Sequence, residues 1–138
     1  MSEQTITEAP EGSQHACVVV SRVISQPLDA VWAVLMTREG AEALLGRGAM
    51  LGDKGHSWTA QDGRTGYIRS FHPKEQIRFR WRKNDDTPAS SVDLRVREQG
   101  PGTTLLSVEH SDLRPDLDPG YLRGRWEAAL ERIESDCF

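Results

Sequence analysis

The chain has 138 residues, 37% of them hydrophobic, and a formal net charge of −4 at pH 7. A chain of this length fits one domain and has no room for a second module of similar size. Its acidic balance argues against general nucleic-acid binding, because such binding needs a basic surface that displaces counterions from phosphates. The apolar residues are dispersed, so the sequence predicts no helix that crosses a bilayer.

The beginning of the chain is polar and acidic. We expect residues 1–15 to form a disordered tail ahead of one folded domain at residues 16–138. The tail lacks the order of basic and apolar segments that marks a secretion signal, so a cytoplasmic location is expected. Cys17 and Cys137 are predicted to be free thiols there, although a bridge between them stays conceivable. Neither cysteine has metal-binding spacing, so no metal site is predicted.

The first predicted elements are a strand and a helix joined by a proline. β-Branched residues dominate residues 18–24, which suits a strand, although Arg22 shares the parity of its apolar residues. Pro27 then favours a helix start, because its φ is fixed and its missing N–H is not needed there. Apolar residues at three- and four-residue spacing predict a helix at 28–35, with Trp32 on its apolar side.

A second short helix is predicted at residues 38–45, ended by Gly46 and Gly48. After it the hydrophobic period changes from nearly four to two, and turn residues divide the region into five predicted strands. These strands lie at residues 56–60, 64–72, 76–83, 89–98 and 103–110. Because the connections between them are short, neighbouring strands must be antiparallel.

The alternation predicts a sheet with one apolar and one charged face. The apolar face carries Ile77, Phe79, Trp81, Val92, Leu94, Val96, Thr104, Leu106, Val108 and His110. The opposite face carries Arg78, Arg80, Arg82, Lys83, Arg95 and Arg97. Since Asp93 and Glu109 share that charged face, it is predicted to be a solvated, ion-paired surface more than an attractor of anionic partners.

Residues 64–72 leave their orientation open. Arg69 would send Tyr67 and Phe71 outward, yet these are the larger apolar groups of the strand. A β-bulge or burial on both faces would resolve the conflict.

One long helix is predicted at residues 116–138. An apolar stripe at helical spacing comprises Leu122, Trp126, Ala129, Leu130, Ile133 and Cys137. The opposite side is predicted to carry Arg123, Arg125, Glu127, Glu131, Arg132 and Glu134. Asp118 suits an N-cap with Pro119 at the first helical position, so Asp116 and Asp118 indicate helix capping and not a paired-carboxylate site. The stripe is expected to cover the apolar face of the sheet.

Several short motifs, in this order and spacing, resemble a known family. They are Arg22 with Gln26-Pro27 and Val31-Trp32, then Gly66-Tyr67-Ile68, Pro73 followed by residues 77–81, Gly102 with Thr104 leading to His110-Ser111, and Trp126 with Leu130 and Ile133. From about residue 17 onward the chain resembles the activator-of-heat-shock-protein-ATPase-homologue (AHSA-like) branch of the START/SRPBCC helix-grip superfamily.

The resemblance implies an α+β helix-grip fold, in which a curved antiparallel sheet wraps around a long C-terminal helix and two short helices follow the first strand. It also implies a cavity between sheet and helix, which holds a small apolar molecule in many members. The branch commonly has a tryptophan near the end of the second helix. This chain has Leu44 and Leu45 there, so the cavity entrance is expected to be reshaped.

Ten residues are predicted to contact a ligand in that cavity. They are Trp58, Ile68, Ser70, Phe79, Trp81, Leu94, Leu106, His110, Leu122 and Trp126. Such side chains supply the apolar walls usual in small-molecule pockets, although each aromatic ring equally suits plain core packing. His110 could orient a polar ligand atom or move a proton, and the alternative is a histidine satisfied by a backbone carbonyl. Ser70 is expected beside Ile68 on the inner side.

The predicted function is binding of a small hydrophobic or amphipathic molecule as a carrier or sensor, with no cofactor and no nucleic-acid or membrane partner. One alternative is a cyclase- or hydrolase-type enzyme that uses the same cavity and His110, although no known catalytic motif occurs in the sequence. The other is a chaperone-associated interaction module. This is the weaker implication, because we expect no separate chaperone-binding domain. A homodimer stays open.

Overall fold

The computed structural model describes residues 16–113, 115 and 117–138. In chain order its elements are strand β1 (Ala16–Ile24), helices α1 (Leu28–Leu35) and α2 (Arg38–Leu45), strands β2 (Ser57–Thr59), β3 (Thr65–His72), β4 (Gln76–Trp81), β5 (Ser90–Gly100) and β6 (Thr103–Leu113), and helix α3 (Pro119–Asp136). The predicted α+β order is confirmed, and α1 and α2 have their predicted bounds. The predicted tail at residues 1–15 and the capping role of Asp116 lie outside the described residues.

The six strands form one sheet in the order β1-β6-β5-β4-β3-β2, and every neighbouring pair is antiparallel. Strands that follow one another in sequence are neighbours from β2 to β6. The first strand joins at the far side by pairing with β6. The two edges are therefore β1, with nine residues, and β2, with three.

The core lies between one face of this sheet and the three helices. Each predicted inward residue of β4, β5 and β6 is buried, including Thr104 and His110, which confirms the alternation. Helix α3 contributes Leu122, Trp126 and three further buried side chains from the predicted stripe. The helix is shorter than predicted because Asp118 has an extended backbone and caps it, with Pro119 as its first residue.

A β-bulge in β3 decides the orientation that the sequence left open. Ile68 pairs with Phe79, but the next pair of this ladder is Ser70 with Arg78, so one extra residue is accommodated at Arg69. The extra residue reverses the in–out alternation. Ser70 consequently lies opposite an outward-facing arginine, and its predicted place beside Ile68 on the inner side is wrong.

The same bulge turns Phe71 inward. Phe71 pairs with the fully buried Ile77 and packs against the core. Its ring centroid lies 5.7 Å from that of Trp32 in α1. Tyr67, which precedes the bulge, is exposed. The bulge thus half-buries Phe71 without a change in the first half of the strand.

Helix α3 is also tied to the edge strand β1. Arg22 has the parity of the buried residues of β1, and its guanidinium forms a salt bridge with Glu134 of α3. The Arg123 guanidinium donates a hydrogen bond of 3.1 Å to the carbonyl oxygen of Val19. The awkward parity of Arg22 is therefore explained, since an inward position at the edge lets its long side chain reach a carboxylate.

On the outer face of the sheet, the predicted ion pairing is found in the described residues for two of the arginines. Arg78 and Arg95 both contact the Asp93 carboxylate, at 3.5 and 3.2 Å respectively. Arg80 donates a hydrogen bond of 2.9 Å to the hydroxyl oxygen of Ser91.

Candidate functional site

Three aromatic rings pack edge-to-face where α3 crosses the sheet. The His110 ring lies between Trp81 and Trp126, with centroid distances of 4.9 and 5.8 Å and near-perpendicular planes. Trp81 belongs to β4, His110 to β6 and Trp126 to α3. The edge-to-face arrangement is the favourable one for aromatic groups. These rings join the sheet to the terminal helix.

Hydrogen bonds lock the His110 ring. The Trp126 indole Nε1–H donates to His110 Nδ1 at 3.0 Å, and His110 Nε2 lies 2.7 Å from the Ser90 hydroxyl. Indole nitrogen is only a donor, so Nδ1 must accept and Nε2 must carry the proton. The Ser90 hydroxyl then donates to the carbonyl oxygen of Trp81 at 3.0 Å. The chain of three bonds is complete with a neutral imidazole.

The electrostatics of His110 agree with that tautomer. The residue is fully buried, and burial lowers its pKa from 6.5 to about 4. Both ring nitrogens are already engaged, so neither is free for a ligand atom. The predicted polar anchor at His110 therefore has no available nitrogen, and its partners are Ser90 and Trp126 instead of the expected backbone carbonyl. Ser90 has the parity of Val92, and that was the sequence signal for an inward polar group.

A partly open cleft of about 770 Å³ lies beside these three rings. Its walls are the end of α2, the turn before β3, the end of β4 and the part of α3 from Tyr121 to Arg132. The apolar lining includes Leu44, Trp81, Leu117, Leu122, Trp126 and the alanines at 43, 128 and 129. The volume falls within the range typical of small-molecule sites.

The cleft brings together only some of the predicted site residues. Trp81, Leu122 and Trp126 line it, and each exposes no more than 5% of its surface. The others on the inner face are buried core residues outside its lining, namely Trp58, Ile68, Phe79, Leu94, Leu106 and His110. Side chains fill most of the space between sheet and helix, so the cleft is displaced toward α2 from the predicted position.

Trp58 is a buried core residue that does not line the cleft. Its ring meets Phe79 edge-on with centroids 6.0 Å apart. Its Nε1 is buried without a hydrogen-bond partner among the described residues. Gly66 faces this nitrogen across a space in which a Cβ would lie 2.8 Å from it and 1.8 Å from the Arg80 carbonyl oxygen. Gly66 thus allows the close packing of Trp58 into the core.

Cationic side chains form the rim of the cleft. Arg64, Lys83, Arg125 and Arg132 line it, together with Asp62, Asp118 and Tyr121. The predicted place of Lys83 on the outer face of the sheet is wrong, because β4 ends at Trp81. Arg125 and Arg132 had been predicted on the side of α3 opposite the apolar stripe. They lie three or four residues from Leu122 and Ala129, so they flank that stripe and reach the cleft. The sequence prediction missed them because it divided the helix into only two sides.

Arg64 is held in the rim by its neighbours. Its Nε donates to the Asp62 carboxylate at 2.7 Å, and its side chain is only 16% exposed. Gly46 leaves room for the guanidinium, because a Cβ there would lie 2.6 Å from Nη2. Burial lowers the pKa of Arg64, the positive charge of Arg125 lowers it further, and Asp62 opposes both effects. Arg64 is therefore a partly buried cation that is held in place by its ion pair with Asp62.

Arg125 lies on the facing wall. Its Nη1 donates to the Tyr121 hydroxyl at 3.1 Å, and its Cζ lies 5.8 Å from the centroid of that ring. Both contacts are with a neutral group.

Other kinds of site find little support in the described residues. No group of three or more histidine, cysteine, aspartate or glutamate side chains there could hold a metal ion. No helix in the described part of the chain has both the length and the apolar character to span a membrane. Cys17 and Cys137 are free thiols. Burial raises the pKa of each, and nearby carboxylates raise it further.

A six-stranded antiparallel sheet with a long terminal helix across one face, and a cleft beside that helix, defines a helix-grip protein. Solved structures share this fold. CalU16 from Micromonospora echinospora matches with a TM-score of 0.70 and 23% identity, over 85% of this chain and 73% of its own. Protein MLL2253 from Mesorhizobium loti matches with a TM-score of 0.73 and 25% identity, over 86% and 94%.

A third similar structure is an Aha1 dimer from Colwellia psychrerythraea, with a TM-score of 0.73 and 11% identity, over 88% of this chain and 96% of that one. No protein-family model and no curated protein matches the sequence. The comparisons confirm the helix-grip fold. Membership of the AHSA-like branch stays a prediction.

Proposed function

We propose that this protein binds a small amphipathic molecule in the cleft between α2 and α3, as a carrier or sensor. The observation that carries the proposal is the cleft itself, in which the indoles of Trp81 and Trp126 line a partly open space of about 770 Å³. Burial of ligand carbon against these rings would supply affinity at roughly 25 cal/mol per Å². Of the predicted ligand contacts, the proposal keeps Trp81, Leu122 and Trp126.

A variant that fills the cleft tests this proposal. Ala128 is an exposed residue of α3 that lines the cleft, whereas its neighbour Glu127 is exposed and lies outside the lining. We expect Ala128→Trp to weaken binding of the neutral apolar dye N-phenylnaphthylamine by about tenfold or more. Glu127→Trp, the matched control, should leave the affinity within about twofold. Both changes are at exposed helical positions, so both variants should fold.

The dye is titrated by its fluorescence against each purified protein. Equal affinity in the wild type and Ala128→Trp would refute binding in this cleft, and so would absence of binding to the wild type. Native mass spectrometry of freshly purified protein complements the titration. A bound mass that is present in the wild type and lost in Ala128→Trp would identify the natural ligand.

The alternative of an enzyme that acts through His110 receives less support, since both ring nitrogens are engaged by Ser90 and Trp126. A chaperone-associated role draws only on the likeness to Aha1, which at 11% identity concerns the fold. That similar structure is a dimer, so the same native spectra should be read for self-association. Twice the chain mass of 15.4 kDa would identify a homodimer.

A further inference from the structure

The lining of the cleft is charged oppositely to the chain as a whole. Four cationic side chains and two carboxylates line it, in a chain with a net charge of −4. Asp118 accepts from the Gly120 N–H at the start of α3, and Asp62 is bonded to Arg64. Among the described residues, no carboxylate lies within 4.0 Å of the side-chain nitrogens of Lys83, Arg125 or Arg132. Of the four rim cations, only Arg64 therefore has a carboxylate partner within the described part of the chain.

The two arginines on facing walls are arranged to receive an acceptor. In the described part of the chain, the side-chain hydrogen bonds of Arg64 use Nε alone, so its Nη donors remain available. Arg125 has donated one N–H to a neutral hydroxyl. The Arg64 guanidinium is already held in place by Asp62, which lowers the entropy lost when a ligand binds. The positive charge of Arg125 lowers the pKa of Arg64, so the two guanidinium groups lie close enough to repel each other.

The outer face of the sheet shows what a solvated arginine surface looks like in this protein. Arg78 and Arg95 are each bonded to Asp93, and their side chains are 58% and 49% exposed. Arg64 is far more enclosed, and Arg125 has no such carboxylate among the described residues. The two rim arginines thus differ from Arg78 and Arg95 in one respect each. Arg64 is more buried but is also paired, with Asp62, whereas Arg125 is exposed but has no carboxylate partner in the described part of the chain.

We infer that the ligand of the cleft is an amphipathic anion, whose carboxylate or sulfonate oxygens lie between Arg64 and Arg125 while its apolar body covers Trp81 and Trp126. This inference rests on the proposed function and adds the chemical class of the ligand. Charge-assisted hydrogen bonds from guanidinium to an oxyanion are roughly twice as strong as neutral ones. An added negative charge would also reduce the repulsion between the two arginines.

Two dyes that share one apolar body separate the charge from the hydrophobic contact. Anilinonaphthalene sulfonate carries a sulfonate, and N-phenylnaphthylamine has the same rings without it. We expect Arg125→Gln to weaken binding of the sulfonate dye by about tenfold and to change the affinity for the neutral dye by no more than about twofold. Arg64→Gln should act in the same direction. Arg97→Gln, an exposed residue on the outer face, is the control with the same charge change and should alter neither affinity.

The readout is the ratio of the two dissociation constants, because the shared apolar contribution cancels in it. An unchanged ratio in Arg125→Gln, or an equal change in Arg97→Gln, would overturn the anion inference. That failure is distinct from failure of the proposed function. If the neutral dye binds and Ala128→Trp weakens its binding while the ratio stays constant in Arg125→Gln, the cleft binds ligands but does not discriminate between charged and neutral ones.

Discussion

Protonation of His110 is predicted to destabilise the fold over a defined pH range. Burial lowers the pKa of His110 from 6.5 to about 4 in the folded protein, and the bonds from Trp126 and to Ser90 require the neutral ring. Between these two values the unfolded chain binds a proton that the folded protein does not. The free energy of unfolding must therefore fall as the pH falls through this range.

The size of the effect follows from the two pKa values. Each tenfold difference in proton affinity is worth about 1.4 kcal/mol, so the full effect is about 3 kcal/mol. Between about pH 7.5 and pH 5 the loss should be about 2 kcal/mol, because the unfolded histidine is then almost fully protonated while the folded one is still mostly neutral. Such a loss is a substantial fraction of the stability of a small domain.

Urea denaturation across this pH range measures the effect in the wild type and in His110→Gln. Glutamine does not titrate, and the other titratable groups are common to both proteins, so the difference between the two pH profiles isolates His110. The wild type should lose about 2 kcal/mol more than the variant. Parallel profiles would refute the reasoning. A nitrogen-15 NMR titration of wild-type His110 gives an independent check, since the ring should remain in the Nε2–H form down to about pH 5.

Two further changes test the contacts around the site. Ser90→Ala removes the partner of the buried imidazole and should lower the free energy of unfolding by about 1–3 kcal/mol, whereas the half-buried control Ser107→Ala should have little effect, as urea denaturation will show. Gly46 and Gly63 both have positive φ, at 120° and 101°, but only at Gly46 would a Cβ collide with other side chains, those of Arg64 and Ala60. Alanine should therefore cost about 1–3 kcal/mol at either glycine from backbone strain, with a larger loss at Gly46 in thermal unfolding. Equal losses at the two glycines would contradict the contact with Arg64.

Local patterns were sufficient to predict most of the fold. The alternation of apolar residues in β4 and β5 predicted their buried faces, and the spacing in α1 and α2 predicted both helices. These signals are short-range, because a residue's side in a strand or helix depends on its position relative to its neighbours. The resemblance added the arrangement of the elements, which no local pattern contains.

The β3 bulge could not be placed by alternation. A single inserted residue reverses the face of all that follow, and the sequence offered only a conflict between Arg69 and Phe71. The conflict is settled by packing against Trp32 in α1, which is a distant contact. As a result Ser70 was assigned to the wrong face.

The cleft was only partly predictable for a related reason. Trp81 and Trp126 were identified because large aromatic groups on an apolar face are candidates for any pocket wall. Arg64 and Arg125 come from a turn and from the flank of a helix. Only the assembled structure brings them to the same opening. The position of a cleft depends on where the packed elements leave space, and this position cannot be predicted from residue types alone.

Both margins of the sheet are protected against strand addition by a neighbouring molecule. The outer margin at β2 has only three residues to offer. At β1, the Arg123 guanidinium donates a hydrogen bond to the Val19 carbonyl oxygen, and Arg22 forms a salt bridge with Glu134. A second chain that added a strand at β1 would have to displace side chains of the terminal helix first. Helix α3 therefore makes strand addition at β1 less favourable.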